Sequence, residues 1–135
     1  AYNSNMIKKS VSQLKKMLWK EFSIFIRQRD SNDSGYGNCV TCGTHKFWRE
    51  VDAGHFITRG DLATCFDERN VHFQCKRCNM RGGEQYKMSI YIDNKYGVGT
   101  SDHLQWLRHQ PTKISRSEYV ELINKYKEIN GSSKK

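Results

Sequence analysis

Asn70-Val-His-Phe-Gln-Cys75-Lys-Arg-Cys78-Asn79 is the stretch on which the reading of this chain turns. Its first five residues suit a short strand, and Cys75 and Cys78 form a Cys-x-x-Cys knuckle leading into a helix N-terminus. A second knuckle, Cys39-Val-Thr-Cys42 followed by the turn residue Gly43, stands upstream with 32 residues between the two pairs. Four thiolates at this spacing can close a tetrahedral shell around one structural Zn2+, in a treble-clef-like arrangement. A redox pair or plain buried thiols would leave two correctly shaped pairs in one short chain unexplained. Lys76 and Arg77 would partly offset the negative charge of such a centre. Cys65, the fifth cysteine, is expected to be a small buried residue.

Working outward, the segment from about residue 5 to 29 carries Val11, Leu14, Leu18, Phe22 and Phe25 at three- and four-residue steps, the pattern of an amphipathic helix. Turn formers from Asp30 to Gly37 end it and give a loop into Cys39. Phe47 to Ile57 and Asn70 to Gln74 are expected to be strands, with Arg59-Gly-Asp61 in the loop between them. Helices are expected over Glu84–Lys95, stopped by Gly97, and Ser101–His109, stopped by Pro111. A last helix starts at Ser115 with Glu118 as capping-box partner, and the tail from Gly131 should fray. The chain of 135 residues is expected to form one α+β domain. Its zinc core at about 36–96 is flanked by the N-terminal helix at about 5–29 and C-terminal helices at about 100–130.

The order His55, Asn70, Asn79 around the second knuckle resembles the HNH, or ββα-metal, nuclease pattern. In that pattern a histidine ends the first strand, an asparagine opens the second, and a His or Asn beside the knuckle holds a metal. Asn79 stands where many members have histidine. The resemblance implies His55 as general base, which suits an imidazole of ordinary pKa near 6.5. It implies Asn70 as brace of the His55 loop and Asn79 as ligand of a catalytic Mg2+ or Mn2+. Most members have an aspartate directly before the histidine, whereas this chain has Gly54, and Asp52 is the nearest carboxylate. Residues 52 and 55 leave opposite faces of a regular strand, so a bulge at Gly54 is expected to bring them together. Asp67 and Glu68 are substitutes for Asp52 as second ligand. His72, His45 and His109 are read as ordinary core or surface residues.

A longer likeness follows from Asp-Ala-Gly-His-Phe-Ile57, Leu62-Ala-Thr, Phe66-Asp-Glu-Arg-Asn-Val-His72 and Gln74-Cys-Lys-Arg-Cys-Asn79. Together with Leu18-Trp19, Arg27, Arg29-Asp30, Gly82-Gly-Glu-Gln-Tyr86 and Lys95-Tyr-Gly97, these phrases resemble the NinG (Rap) recombination endonucleases of lambdoid phages over roughly residues 14 to 107. The resemblance implies a phage-encoded endonuclease, a Holliday junction resolvase acting on branched DNA such as junctions and D-loops. A resolvase is expected to work as a homodimer, and the N-terminal helix offers an interface unless it covers the domain's own core.

Lys and Arg number 23 against 14 Asp and Glu, a formal charge of +9 that concentrates polyanions. Arg59, Lys76, Arg77 and Arg81 are the expected DNA contacts, with Lys8, Lys9, Lys15, Lys16 and Lys20 either extending the track or forming a solvated helix face. No run approaches the ~20 apolar residues of a membrane span, and no secretory signal is evident. An intracellular site is therefore expected, the bacterial host cytoplasm if phage-encoded. The competing readings are a non-catalytic zinc module binding nucleic acid and an HNH nuclease for linear duplex of restriction or homing type.

Overall fold

The computed structural model describes Met6 and residues 8–135, so the expected helix start at Asn5 lies outside the described residues. Helix α1 (Val11–Arg29) begins in a capping box, in which the Ser10 hydroxyl accepts from the Gln13 amide and the Gln13 side chain accepts from the Ser10 amide. Leu14, Leu18, Phe22 and Ile26 recur at four-residue steps and are fully buried, whereas Val11 is exposed. The stripe packs against α6 (Arg116–Gly131), which Ser115 and Glu118 cap as anticipated. Phe22 meets Tyr126 edge-on at 5.2 Å, and Tyr119, Val120 and Ile123 complete this core. The apolar face that the sequence offers as a dimer surface is thus occupied within the chain.

Between these helices the chain forms two small antiparallel sheets, which makes the architecture mixed α+β. β1 (Tyr36–Asn38) and β2 (His45–Phe47) flank the first knuckle. β1 lies in a segment expected to be loop, because a three-residue strand made of Tyr-Gly-Asn carries no alternation to read. A 3₁₀ turn (Trp48–Glu50) leads into β3 (Asp52–His55), which a short helix α2 (Leu62–Cys65) joins to β4 (Val71–Gln74). α3 (Lys76–Met80), α4 (Gln85–Tyr96) and α5 (Thr100–Leu107) follow. Ala53 and Val71 face the α1–α6 core, whereas Phe56 and Ile57 join Met88, Ile92 and Leu104 in a second one. No helix among the described residues is long and apolar enough to cross a membrane.

The β3–β4 register runs Asp52–Gln74, Ala53–Phe73, Gly54–His72, His55–Val71 without interruption. The bulge expected at Gly54 is therefore absent. Glycine stands there for a different reason: a Cβ would lie 2.1 Å from Oε1 of Gln74, whose buried side chain covers the position.

A buried polar cluster fastens the end of α1 to β4. Arg29 forms two bonds to Asp30, at 2.8 and 3.0 Å, and also donates to the carbonyls of Glu68 and Val71. Asp30 accepts the Phe73 amide at 3.0 Å. His72 is fully buried here, donating from Nε2 to the Arg69 carbonyl and facing Arg29 through Nδ1. It is a core histidine, as expected. Burial alone would raise the Asp30 pKa, but the neighbouring His72, Arg29 and Phe73 amide outweigh it and hold the carboxylate well below its usual range. The polar tail expected to fray is also tied down, because Lys135 Nζ donates to the carbonyls of Gln28 and Ser31.

Removing the Asp30 charge leaves Arg29 partly buried and uncompensated, so Asp30→Asn should destabilise the fold by about 3 kcal/mol at neutral pH. The folded-state pKa is depressed, so this contribution is complete above the unfolded value of about 3.9 and lost as pH falls below it. Urea unfolding of both proteins between about pH 6 and about pH 3 should show the difference narrowing in acid. A constant difference would contradict the ion-pair account.

Candidate active site and metal centre

The four knuckle sulfurs lie within 4.8 Å of one another, and Cys42 Sγ and Cys75 Sγ are 3.7 Å apart. A tetrahedron with Zn–S bonds of about 2.3 Å has edges of about 3.8 Å, so the separation fits a shared ion. Each knuckle is shaped by its own backbone. Gly43, at φ +81°, lets its amide reach back to the Cys39 carbonyl at 2.8 Å. Cys75 caps α3, its sulfur accepting from the Cys78 amide. The Thr41 and Thr44 hydroxyls stand 3.4 and 3.1 Å from the Cys39 and Cys42 sulfurs. This cluster can hold a metal ion.

A cleft of about 700 Å3 lies beside it, bordered by α1, β3, α3 and the loops after β3 and α3. His55, Asp52 and Asn79 all line it. Asp52 and His55 leave β3 on opposite faces, yet both reach the cleft because β4 covers only one edge of β3 and the cleft wraps the other. The geometry the bulge was expected to supply comes from an open strand edge instead.

His55 is buried against Trp19, ring centroids 4.9 Å apart, and its Nε2 lies 3.0 Å from the Cys65 carbonyl. A carbonyl only accepts, so Nε2 carries the proton and Nδ1 keeps its lone pair in the neutral ring. Burial, and secondarily the charge of Arg59, outweigh the Cys65 hydrogen bond and lower the His55 pKa to about 4. The ring is therefore neutral throughout the physiological range, and it does not have the ordinary value near 6.5 expected from the sequence, because its burial disfavours the charged form.

Asn70 does not line the cleft; it builds the loop that does. Fully buried, it accepts the Ile57 amide at 2.7 Å and donates to the carbonyls of Ile57 and Thr64, each at 3.0 Å. This pins both ends of the segment that carries Arg59 and presents the Cys65 carbonyl to His55. Cys65 itself is buried.

Asp52 accepts Lys76 Nζ at 2.8 Å on one oxygen and the Asn79 side-chain amide at 3.0 Å on the other. Burial tends to raise its pKa, but these two hydrogen bonds and the Lys76 charge prevail and lower it. Asp67 and Glu68 are elsewhere: Asp67 binds Arg69, and Glu68 accepts the Tyr126 hydroxyl. Of the cations expected at the site, Arg59 and Lys76 line the cleft. Arg77 and Arg81 do not; Arg77 lies against the Cys42 sulfur, because successive residues of α3 point in different directions.

The sequence reading missed Arg27, Arg49 and Trp19, which also line the cleft. Trp19, Ser23 and Arg27 recur at four-residue steps and form a second stripe on α1, beside the apolar one, which was a legible signal.

A family model described as bacteriophage lambda NinG protein matches residues 3–135. Protein ninG of Salmonella phage P22 is 31% identical over 107 residues, covering 73% of this chain and 50% of that protein. Protein ninG of Escherichia phage lambda is 30% identical over 107 residues with the same coverage, and that of Escherichia phage 933W is 34% identical over 83 residues, covering 60% of this chain and 39% of its own length. The chain spans about half the length of the P22 and lambda relatives. No solved structure matches it. With the family model spanning almost every residue, the chain belongs to the NinG family of bacteriophage proteins.

Proposed function

We propose that this chain is a zinc-stabilised HNH (ββα-metal) endonuclease that hydrolyses DNA phosphodiesters, with branched recombination intermediates as preferred substrate. The observation that carries the reading is the His55 ring, neutral, held by Nε2 on the Cys65 carbonyl, with no hydrogen bond to Nδ1 from any described residue, in the lining of a cationic cleft shared with Asp52 and Asn79. Arg27, Arg49, Arg59 and Lys76 line that cleft against one carboxylate, a lining that favours a polyanion.

In this reading His55 Nδ1 takes a proton from a water whose oxygen forms a bond to phosphorus as the bond to the 3′ oxygen breaks. The Cys65 carbonyl accepts from Nε2–H throughout and stabilises the imidazolium formed. Asp52 and the Asn79 amide oxygen are the residues that would hold a divalent ion, a hard-oxygen set that fits Mg2+ or Mn2+ completed by water and phosphate. Such an ion supplies positive charge at the phosphate and the departing oxygen. Lys76, which now neutralises Asp52, would yield that carboxylate when the ion enters. Asn70 is a positioning residue that acts through the loop.

The four-cysteine cluster is proposed to hold Zn2+, fastening the β1–β2 loop to the β4–α3 turn. Purified protein should contain close to one zinc per chain, and cobalt substitution should give thiolate charge-transfer bands that Cys42→Ser weakens. Absence of bound metal after expression in zinc-replete cells would contradict this.

Cleavage of a four-way junction in Mg2+ should exceed that of its linear arms. His55→Ala should lose about 100-fold or more in rate while retaining binding, and Asn79→Ala should also cut poorly. Equal cutting of junction and arms would reject the branched-substrate part, and an undiminished His55→Ala rate would reject the nuclease mechanism. By NMR the His55 ring should titrate near pH 4. Its folded-state pKa is lowered, so its contribution to stability is intact above about 6.5 and lost as pH falls from there toward the native value. A midpoint near 6.5 would contradict the buried, neutral base.

A further inference from the structure

Two of the arginines that line the cleft are laid on tryptophan rings, one on Trp19 of the cleft wall and one on the buried Trp48. Arg59 lies over the Trp19 ring at 4.2 Å, and Arg49 lies over the Trp48 ring at 4.6 Å. Arg49 and Arg59 are both exposed, and neither has a hydrogen-bond or ion-pair partner among the described residues. Arg27 also lies over Trp48, at 5.1 Å, but it is half-buried and held by Nε on Ser23 and by Nη1 on the Trp48 carbonyl, so it braces the platform on which the exposed Arg49 lies. Trp19 is fixed in its turn by the His55 ring.

An arginine on open surface gives up rotamer freedom to bind a phosphate, whereas one laid on an aromatic face has lost part of it already. The two free guanidiniums therefore differ from the solvated lysines of α1. They belong to separate elements, the 3₁₀ turn before β3 and the loop after it; His55 at the end of β3 lies between them in sequence, and all three line the same cleft. Beyond Arg59 a groove of about 350 Å3 shares Trp19 and Arg59 with the cleft and adds Lys15 and Lys16, with no carboxylate in its lining.

From this geometry we propose that Arg49 and Arg59 are two phosphate seats for one DNA strand, one on each side of the phosphate presented to His55, and that the strand leaves past Arg59 toward Lys15 and Lys16. The proposal rests on the nuclease reading for the identity of the central phosphate and extends it to the flanking ones. A phosphate contact made by a cation releases counterions, so each seat contributes about 0.9 to the slope of log affinity against log salt.

The test uses the whole chain with His55→Ala, so that binding is read without cutting. Affinity for a labelled four-way junction is measured by fluorescence anisotropy across a salt series, with Arg49→Ala, Arg59→Ala, the double variant and, as control, Lys127→Ala on α6. Circular dichroism checks that each variant is folded. Each arginine variant should flatten the salt slope by about 0.9 and the double variant by about twice that, while Lys127→Ala leaves it unchanged. Lys15→Ala with Lys16→Ala should flatten it further. Slopes unchanged by Arg49→Ala and Arg59→Ala, or no junction binding at low salt, would overturn the proposal. Flattened slopes in a protein whose wild type never cuts would sustain the two seats and reject the nuclease reading; cutting with unchanged slopes would do the reverse.

Discussion

Four sulfur atoms drawn within 4.8 Å are the constraint on which the rest of the site depends. Around a shared metal ion they would fix the loop after β1 to the turn between β4 and α3, two segments too short to hold that geometry through apolar burial. That turn is the one that carries Asn79 and Lys76 to Asp52. Gln74 extends the constraint inward. Its side-chain nitrogen donates to Thr41, beside the Cys39 sulfur, and to the Gly83 carbonyl in the cleft wall. The closeness of that side chain to β3 is what position 54 accommodates by having no Cβ.

Around this centre the chain divides its labour. α1 and α6 bury their apolar stripes against one face of the β3–β4 sheet, and the Arg29–Asp30–His72 cluster sets where α1 ends. That end point matters for chemistry, because the Trp19–Ser23–Arg27 stripe of the same helix forms a wall of the cleft. Burying the neighbouring stripe therefore orients Trp19, and Trp19 in turn packs on His55. The depressed pKa of His55 follows from that burial more than from any charge. A histidine in an open, equally cationic cleft would keep a pKa nearer the ordinary value.

Much of this was legible before any coordinates. Short-range signals, the knuckle spacing and the capping box at Ser115, translate into local geometry with little tertiary help. Positions set by long-range packing were not legible. Gly54 reads as a bulge because glycine in a strand often marks one, but here it answers to Gln74, twenty residues away in sequence. Arg77 reads as a cleft residue from its neighbours Lys76 and Asn79, yet helical geometry turns it to the sulfurs. The cleft-facing placement of Arg49 and Arg27 depends on where Trp48 is buried, which no local pattern states.

The central claim is that a neutral imidazole at position 55 removes a proton at the phosphate. Chemical rescue tests it most directly: His55→Gly opens a ring-sized space beside Trp19 that free imidazole can enter. The account predicts that this variant cuts DNA only when imidazole is added, with a rate that follows the concentration of the unprotonated form. A variant that cuts as fast as wild type without imidazole would contradict it.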